Sequence, residues 1–177
     1  MVKVHYFDKV NVDNIDYMKP KKLQTQYRSA IYYCGLRGLF IQSSKISKIQ
    51  QFKRANLKYL NVTIDDGAFL KFIKTIDTHS KKTISKKSMD WFGAKLTNAT
   101  VKHSYKSPLK RNNNTSEFML KYDEYGDLVT QIYDELGNEL CLDNLNDYSC
   151  YSMILELNGL LFCKSEMLCE WSILQIK

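Results

Sequence analysis

The sequence predicts a single, mainly β domain with helices inserted in its middle, and three observations lead there. Apolar and polar residues alternate with period two over residues 57–64 and 117–122, the pattern of strands with one buried face. Glycine-bearing turn signals separate apolar runs at residues 35–38 and at Asn158-Gly159. A helical period appears in one place, where Phe69, Phe72, Ile73 and Ile76 fall at i, i+3, i+4 and i+7. A chain of 177 residues supports one sizeable core, so residues 1–177 are read as one unit.

Taken in order, residues 2–7 alternate as a first strand. An irregular polar stretch follows, with a short basic loop at Lys19, Lys21 and Lys22, so residues 1–26 are an N-terminal strand and basic loop. Residues 29–34 read as a strand, Gly35-Leu36-Arg37-Gly38 as a tight turn with Arg37 at its tip, and residues 39–43 as the returning strand. Residues 44–53 are polar and read as a short helix. In residues 57–64, Leu60, Val62 and Ile64 face inward while Tyr59, Asn61 and Thr63 face outward.

Asp65 or Asp66 caps the helix that carries Phe69 to Ile76. Residues 80–87 read as a cationic connector and residues 85–92 as a second short helix stopped by Gly93, which makes 65–93 an inserted helical segment. Residues 102–111 are basic, broken by Pro108, and read as a loop. Residues 112–177 form an acidic meander and C-terminal core strands. Phe118, Leu120 and Tyr122 share a face, and the acidic turn at residues 122–127 is echoed eleven residues later at 133–138. Asn158-Gly159 reads as the hairpin turn between residues 153–157 and 160–163, and the apolar strand 170–176 is expected to pair centrally.

Composition narrows the function classes. No apolar run approaches the ~20 residues that cross a membrane, and the N-terminus lacks the apolar core of a signal peptide. An intracellular protein that is not secreted is expected. Cys34, Cys141, Cys150, Cys163 and Cys169 include no CxxC pair, and His5, His79 and His103 join them in no ligand pattern. Neither a metal site nor a disulfide framework is expected. Free thiols, mostly buried as small apolar groups, are the default. The net charge of +7 is unevenly spread: residues 1–111 hold 23 Lys and Arg against 7 Asp and Glu, and residues 112–177 hold 3 against 12. A basic two-thirds suits a polyanionic partner, and an acidic third limits non-specific adhesion or meets a basic partner.

The chemistry-bearing stretch is residues 27–64, in which aromatic and cationic residues alternate: Tyr27, Arg28, Tyr32, Tyr33, Arg37, Phe40, Lys45, Phe52, Lys53, Arg54, Lys58 and Tyr59. Cations track a phosphate backbone while rings offer faces to bases. The plainer reading is a β-rich core with a solvated cationic surface. No nucleophile-base, metal or nucleotide-loop motif occurs, so no enzyme, no cofactor and no catalytic residue are expected.

Several short motifs occur in a set order: Phe40-Ile-Gln-Ser43, Leu60-Asn61-Val62, the helix with Phe69 and Ile76, Ser88-Met-Asp-Trp91-Phe-Gly93, Leu155-Glu-Leu-Asn-Gly159-Leu-Leu-Phe162 and Trp171-Ser-Ile-Leu-Gln-Ile-Lys177. Together they resemble small proteins of large nucleocytoplasmic DNA viruses, regarded as OB-fold single-stranded DNA-binding proteins and similar to the replication protein of short-tailed phages. The resemblance implies a β-barrel, OB-fold-like, of five strands with an inserted helix. It also implies non-catalytic binding and protection of single-stranded DNA during viral replication, recombination or repair, at replication sites in the host cytoplasm or nucleus. Arg28, Arg37, Lys53, Arg54, Lys58, Lys102, Lys106, Lys110 and Arg111 are expected on phosphate, and Tyr33, Phe40, Tyr59 and Tyr105 under bases. Which of Tyr32 and Tyr33 faces outward is left open, as is a homo-oligomer. Trp91 and Trp171 are expected in the core. The phage proteins carry an acidic C-terminal tail. This chain ends in an apolar strand, so acidic contacts with replication proteins fall to residues 123–147. The competing reading is a virion or assembly protein whose basic half packs against nucleic acid or an acidic protein.

Overall fold

The structure is a computed structural model that describes residues 3–54, 57–112, 115–122, 130–145 and 150–177. It is mainly β with inserted helices. The N-terminal part supplies six short or medium strands: β1 (Val4–Tyr6), β2 (Ile15–Tyr17), β3 (Lys21–Leu23), β4 (Gln26–Tyr33), β5 (Leu36–Arg37) and β6 (Leu39–Gln42). The hairpin β7 (Ser47–Arg54) and β8 (Leu57–Ile64) follows, then helices α1 (Gly67–Phe92) and α2 (Asn98–Ser104). The C-terminal part holds β9 (Tyr105–Lys106), β10 (Leu109–Asn112), β11 (Thr115–Tyr122), β12 (Gln131–Ile132), β13 (Met153–Phe162) and β14 (Met167–Ile176).

The main sheet is mixed and open, in the order β1-β6-β13-β14-β11-β8-β7. Strand β14 is central, as its apolar sequence predicts, and its Trp171, Ile173 and Ile176 lie in the core. Strand β13 divides one of its edges between two partners. Residues 154–157 pair with β6 and residues 159–162 pair with β4. Asn158-Gly159 is therefore not a hairpin turn; the strand runs through it with a bulge. Gly159 has φ 132°, and a Cβ there would lie 2.0 Å from the Ser29 carbonyl oxygen. The glycine serves close approach of a neighbouring backbone, a second reason for glycine in a strand. The real turn between β13 and β14 is residues 163–166.

The turn at residues 34–35 also shifts from expectation. Tyr33 pairs with Leu36, so Cys34 and Gly35, with φ 50° and 80°, form the two-residue loop. Arg37 sits past that turn in β5, opposite Tyr32. Residues 47–54 are strand rather than helix, because pairing with β8 outweighs their polar composition. Residues 102–111 are not a loop: α2, β9 and β10 occupy most of them, with Thr97 accepting from the Thr100 amide as N-cap and Val101 buried. Lys21 and Lys22 belong to β3, and the stretch before them holds two 3-10 turns and β2.

The expected capping by Asp66 and stop at Gly93 both occur, but they bound one helix of 26 residues. No connector interrupts it at residues 80–87. The buried stripe of Phe69, Phe72, Ile73 and Ile76 continues through Ser80, Ile84 and Ser88. Ser80 Oγ donates to the Ile76 carbonyl, and Ser88 Oγ accepts from the Leu96 amide. Phe69 meets Phe118, and Phe118 meets Trp171, each edge to face. These contacts fix which side of the sheet is the core. Trp91 packs partly buried against it. The second acidic turn is present at residues 133–138, where Asp134 accepts from the Asn138 amide and Tyr133 bridges to Glu139. The first copy lies mostly outside the described residues.

Candidate nucleic-acid interface

Strand alternation assigns every second residue to the sheet face turned away from α1. Registers then align these residues into rows. One row crosses five strands as Tyr59 (β8), Lys121 (β11), Ser172 (β14), Glu156 (β13) and Phe40 (β6). Four strand spacings separate its two rings, about 19 Å. A second row runs Lys106 (β9), Leu168 (β14), Leu161 (β13), Arg28 (β4) and Lys21 (β3). Between the rows lie Glu170, Gly159 and Ala30. Lys110 pairs with Glu117 at the β10–β11 margin and is exposed.

The face is ionic at its centre. Arg28 Nη2 donates to Glu170 Oε2 at 2.6 Å, and Asn158 Nδ2 donates to Ser172 Oγ at 2.6 Å. Burial pushes the Glu156 carboxyl above its ordinary range; Arg37 and then Arg28 oppose that shift, and Glu170 adds to it. A small cavity of about 90 Å³ is lined by Arg28, Lys121, Glu156, Asn158, Glu170 and Ser172. Chemically, the centre favours groups that accept from the arginines without meeting the two carboxylates head-on. The margins, with Lys21, Lys106 and Lys110, are cationic and open to solvent.

The expected site residues divide. Arg28, Phe40, Tyr59, Lys106 and Lys110 share the outward face, and exposed Arg37 stands beside Glu156. Tyr33 and Tyr105 do not belong there. Tyr33 is 6% exposed, meets the His5 ring and accepts from the Asn11 amide through its hydroxyl. Tyr105 is 7% exposed and donates to Asp77 at 2.7 Å. Neither ring has a face to offer a base. Tyr32, opposite Arg37, is the less buried of the pair left open. Lys102 is exposed on α2, on the helical side of the sheet. The side chains of Lys53, Arg54, Lys58 and Arg111 lie outside the described residues, although their backbones form β7, β8 and β10. Lys121 and Lys21 join the rows without having been expected. Alternation with Leu120 is the signal that places Lys121 outward.

Behind the sheet a buried polar network ties α1 to the strands. Asp77 accepts from Tyr105 and Ser107, and Tyr17 OH lies 2.7 Å from Ser80 Oγ. Burial raises the Asp77 carboxyl against those hydrogen bonds, and it pushes the Cys169 thiol up to about 12. Cys169 is thus an inert core thiol. Cys34, Cys141, Cys150 and Cys163 are exposed, which corrects the expectation of mostly buried thiols. Among the described residues no group of His, Cys, Asp and Glu is arranged to hold a metal ion, and no helix is long and apolar enough to cross a membrane. A depression of about 800 Å³ opens at the end of α1, lined by Tyr27, Trp91, Phe92, Leu96, Phe162 and Met167 among others.

No curated protein matches the chain. A family of unknown function, DUF5871, matches residues 45–177. That stretch begins just before β7 and holds both helices, the central strand β14 and most of the first row. Since the match covers more than half of its 177 residues, the chain belongs to this family of unknown function, DUF5871.

Proposed function

We propose that the sheet face turned away from α1 binds single-stranded DNA without reading its sequence and without catalysis. The observation that carries this is the first row, which puts Phe40 and Tyr59 on one face with Lys121 between them and Arg28 and Arg37 beside it. Rings with cations close by suit a strand whose bases stack while its phosphates are neutralised. The resemblance to viral single-strand binders points the same way, and protection of exposed strands in replication, recombination or repair is the role it implies.

The central carboxylates set a limit on the mode. Glu156 and Glu170 repel phosphate, so the backbone keeps to the lysines and arginines around them and the bases stack on Tyr59 and Phe40 at the two ends of the first row. A titration of a single strand and of a duplex at several salt concentrations tests the reading. Single-strand binding with log K falling by about 0.7 per neutralised phosphate per log unit of salt is expected. Binding that is unchanged in Phe40→Ala and Tyr59→Ala overturns it.

A further inference from the structure

Helix α1 carries a feature that the sheet-face reading does not use. From Lys71 to Lys86 its solvent side presents Lys71, Lys74, Lys81, Lys82 and Lys86, with Thr75, Thr78 and Ser85 between them. The carboxylate in this span, Asp77, is turned into the core. At a rise of 1.5 Å per residue, Lys71 to Lys86 covers about 22 Å along one side of the helix. Among the described residues, acidic groups flank it near Lys71, near His79 in mid-span and just beyond Lys86. Asp8 and Asp13 line the groove beside Lys71, with Asp8 3.4 Å from Lys9 and Asp13 3.9 Å from His79, and exposed Asp90 follows the span. Lys81 Nζ also leans over the Tyr105 ring at 5.4 Å.

We propose that this side of α1 is a second polyanion-binding face, which grips the phosphate backbone of duplex nucleic acid. Three features select that partner. The residues exposed from Lys71 to Lys86 include no aromatic ring, so unpaired bases have nothing to stack on there. A duplex hides its bases and shows a phosphate about every 1.7 Å of axis, so each ammonium along 22 Å finds one. Lysine is a hydrated point charge that neutralises phosphate without demanding a geometry. A membrane surface fits poorly, because an interfacial helix inserts its apolar side, and Phe69, Phe72, Ile73, Ile76 and Ile84 are buried in this protein's core.

The two faces lie on opposite sides of the sheet, so each acts without the other, and this proposal does not rest on the sheet-face reading. One molecule then has a place for an unpaired strand and a separate place for a flanking duplex, the arrangement found where a duplex opens into a single strand.

The test compares wild type with a variant carrying Lys71→Gln, Lys74→Gln, Lys82→Gln and Lys86→Gln. Glutamine keeps helix propensity close to that of lysine. The probes are a short blunt duplex, an oligothymidylate strand and phosphatidylserine vesicles. In wild type, duplex binding should fall steeply with salt. In the variant the slope of log K against log salt should be shallower by about 3–4, at about 0.9 per phosphate lost, with oligothymidylate binding retained. The matching Lys→Arg variant should keep the wild-type slope. A pair variant, Lys82→Gln with Lys86→Gln, should shift the slope by about 2 and serves if the fourfold change lowers the thermal midpoint. An unchanged slope, absence of duplex binding by wild type at low salt, or binding of vesicles in place of duplex overturns the proposal. Loss of oligothymidylate binding in Phe40→Ala with duplex binding intact would leave it standing.

Discussion

Arg28 and Glu170 meet at 2.6 Å across an intervening strand, reaching over β13 where Gly159 offers no side chain. Glu170 is 5% exposed at its side chain while Arg28 keeps about a third of its own in solvent. The pair pins β4 to β14 and at the same time holds a guanidinium at the centre of the candidate face. Removing the arginine strands a buried carboxylate, and leaving one member of a buried pair alone is the costly change.

Arg28→Ala should therefore lower stability by about 2–3 kcal/mol, less than for a fully buried pair because solvent reaches the guanidinium. Urea denaturation checks it. The double variant Arg28→Ala with Glu170→Gln should recover part of the loss, which a simple loss of packing would not.

Gly159→Ala should be far worse than an ordinary glycine replacement. The new Cβ would fall 2.0 Å from the Ser29 carbonyl oxygen, and φ is 132°. A loss of roughly 3–5 kcal/mol is expected from the clash and the backbone strain together. A thermal midpoint close to that of wild type would contradict it.

Phe40→Ala and Tyr59→Ala should each weaken single-strand binding by about 1–3 kcal/mol. Tyr105→Phe provides the contrast. It removes the donor to buried Asp77 and should reduce stability by about 1 kcal/mol or more, while single-strand affinity stays the same in fluorescence anisotropy titrations.

Asp77 gives a pH signature with a definite sign. Its carboxyl is raised from 3.8 by burial, so the folded state binds the proton more tightly than the unfolded chain. Its favourable contribution is complete below 3.8 and is lost as pH rises through the folded value. Glu156 acts in the same direction from 4.5. Relative to wild type, Asp77→Asn should gain stability as pH rises from 3.8 and level off once Asp77 is ionised in the folded state. Denaturation midpoints across the acidic range measure this, and a constant difference would refute it.

Thiol chemistry should separate one cysteine from the rest. Four cysteines are exposed and Cys169 is buried with its thiol pushed up to about 12. A chromogenic disulfide reagent should modify four thiols in the native protein and the fifth after denaturant is added. Rapid native modification of Cys169 would contradict its burial.

The elements legible in the sequence are those whose local pattern and tertiary role agree. Alternation in β8 and β11, the start and stop of α1 and the central place of β14 all follow from residue periodicity. The misread elements share a physical cause: one local signal serves two geometries. Asn158-Gly159 is a turn signal, but the same glycine admits a neighbouring backbone. Ser80 and Ser88 look like exposed residues that break the apolar stripe, yet small hydroxyls satisfied inside the protein extend it. Tyr33 and Tyr105 carry the right chemistry for stacking, and only register decides which side of a strand a ring takes. The Arg28–Glu170 pair joins residues 142 positions apart, beyond the reach of any local pattern.

The divided edge of β13 gives the residues before the matched stretch a task. Both strands that share that edge, β4 and β6, come from residues before 45, whereas the matched stretch begins at 45. A polypeptide made of the matched stretch alone would carry an uncapped ladder of amides and carbonyls along one of its most apolar strands. Such a border recruits whatever extended segment is at hand, including one lent by a neighbouring copy. The first forty-odd residues therefore act as a built-in stopper for that border of this chain.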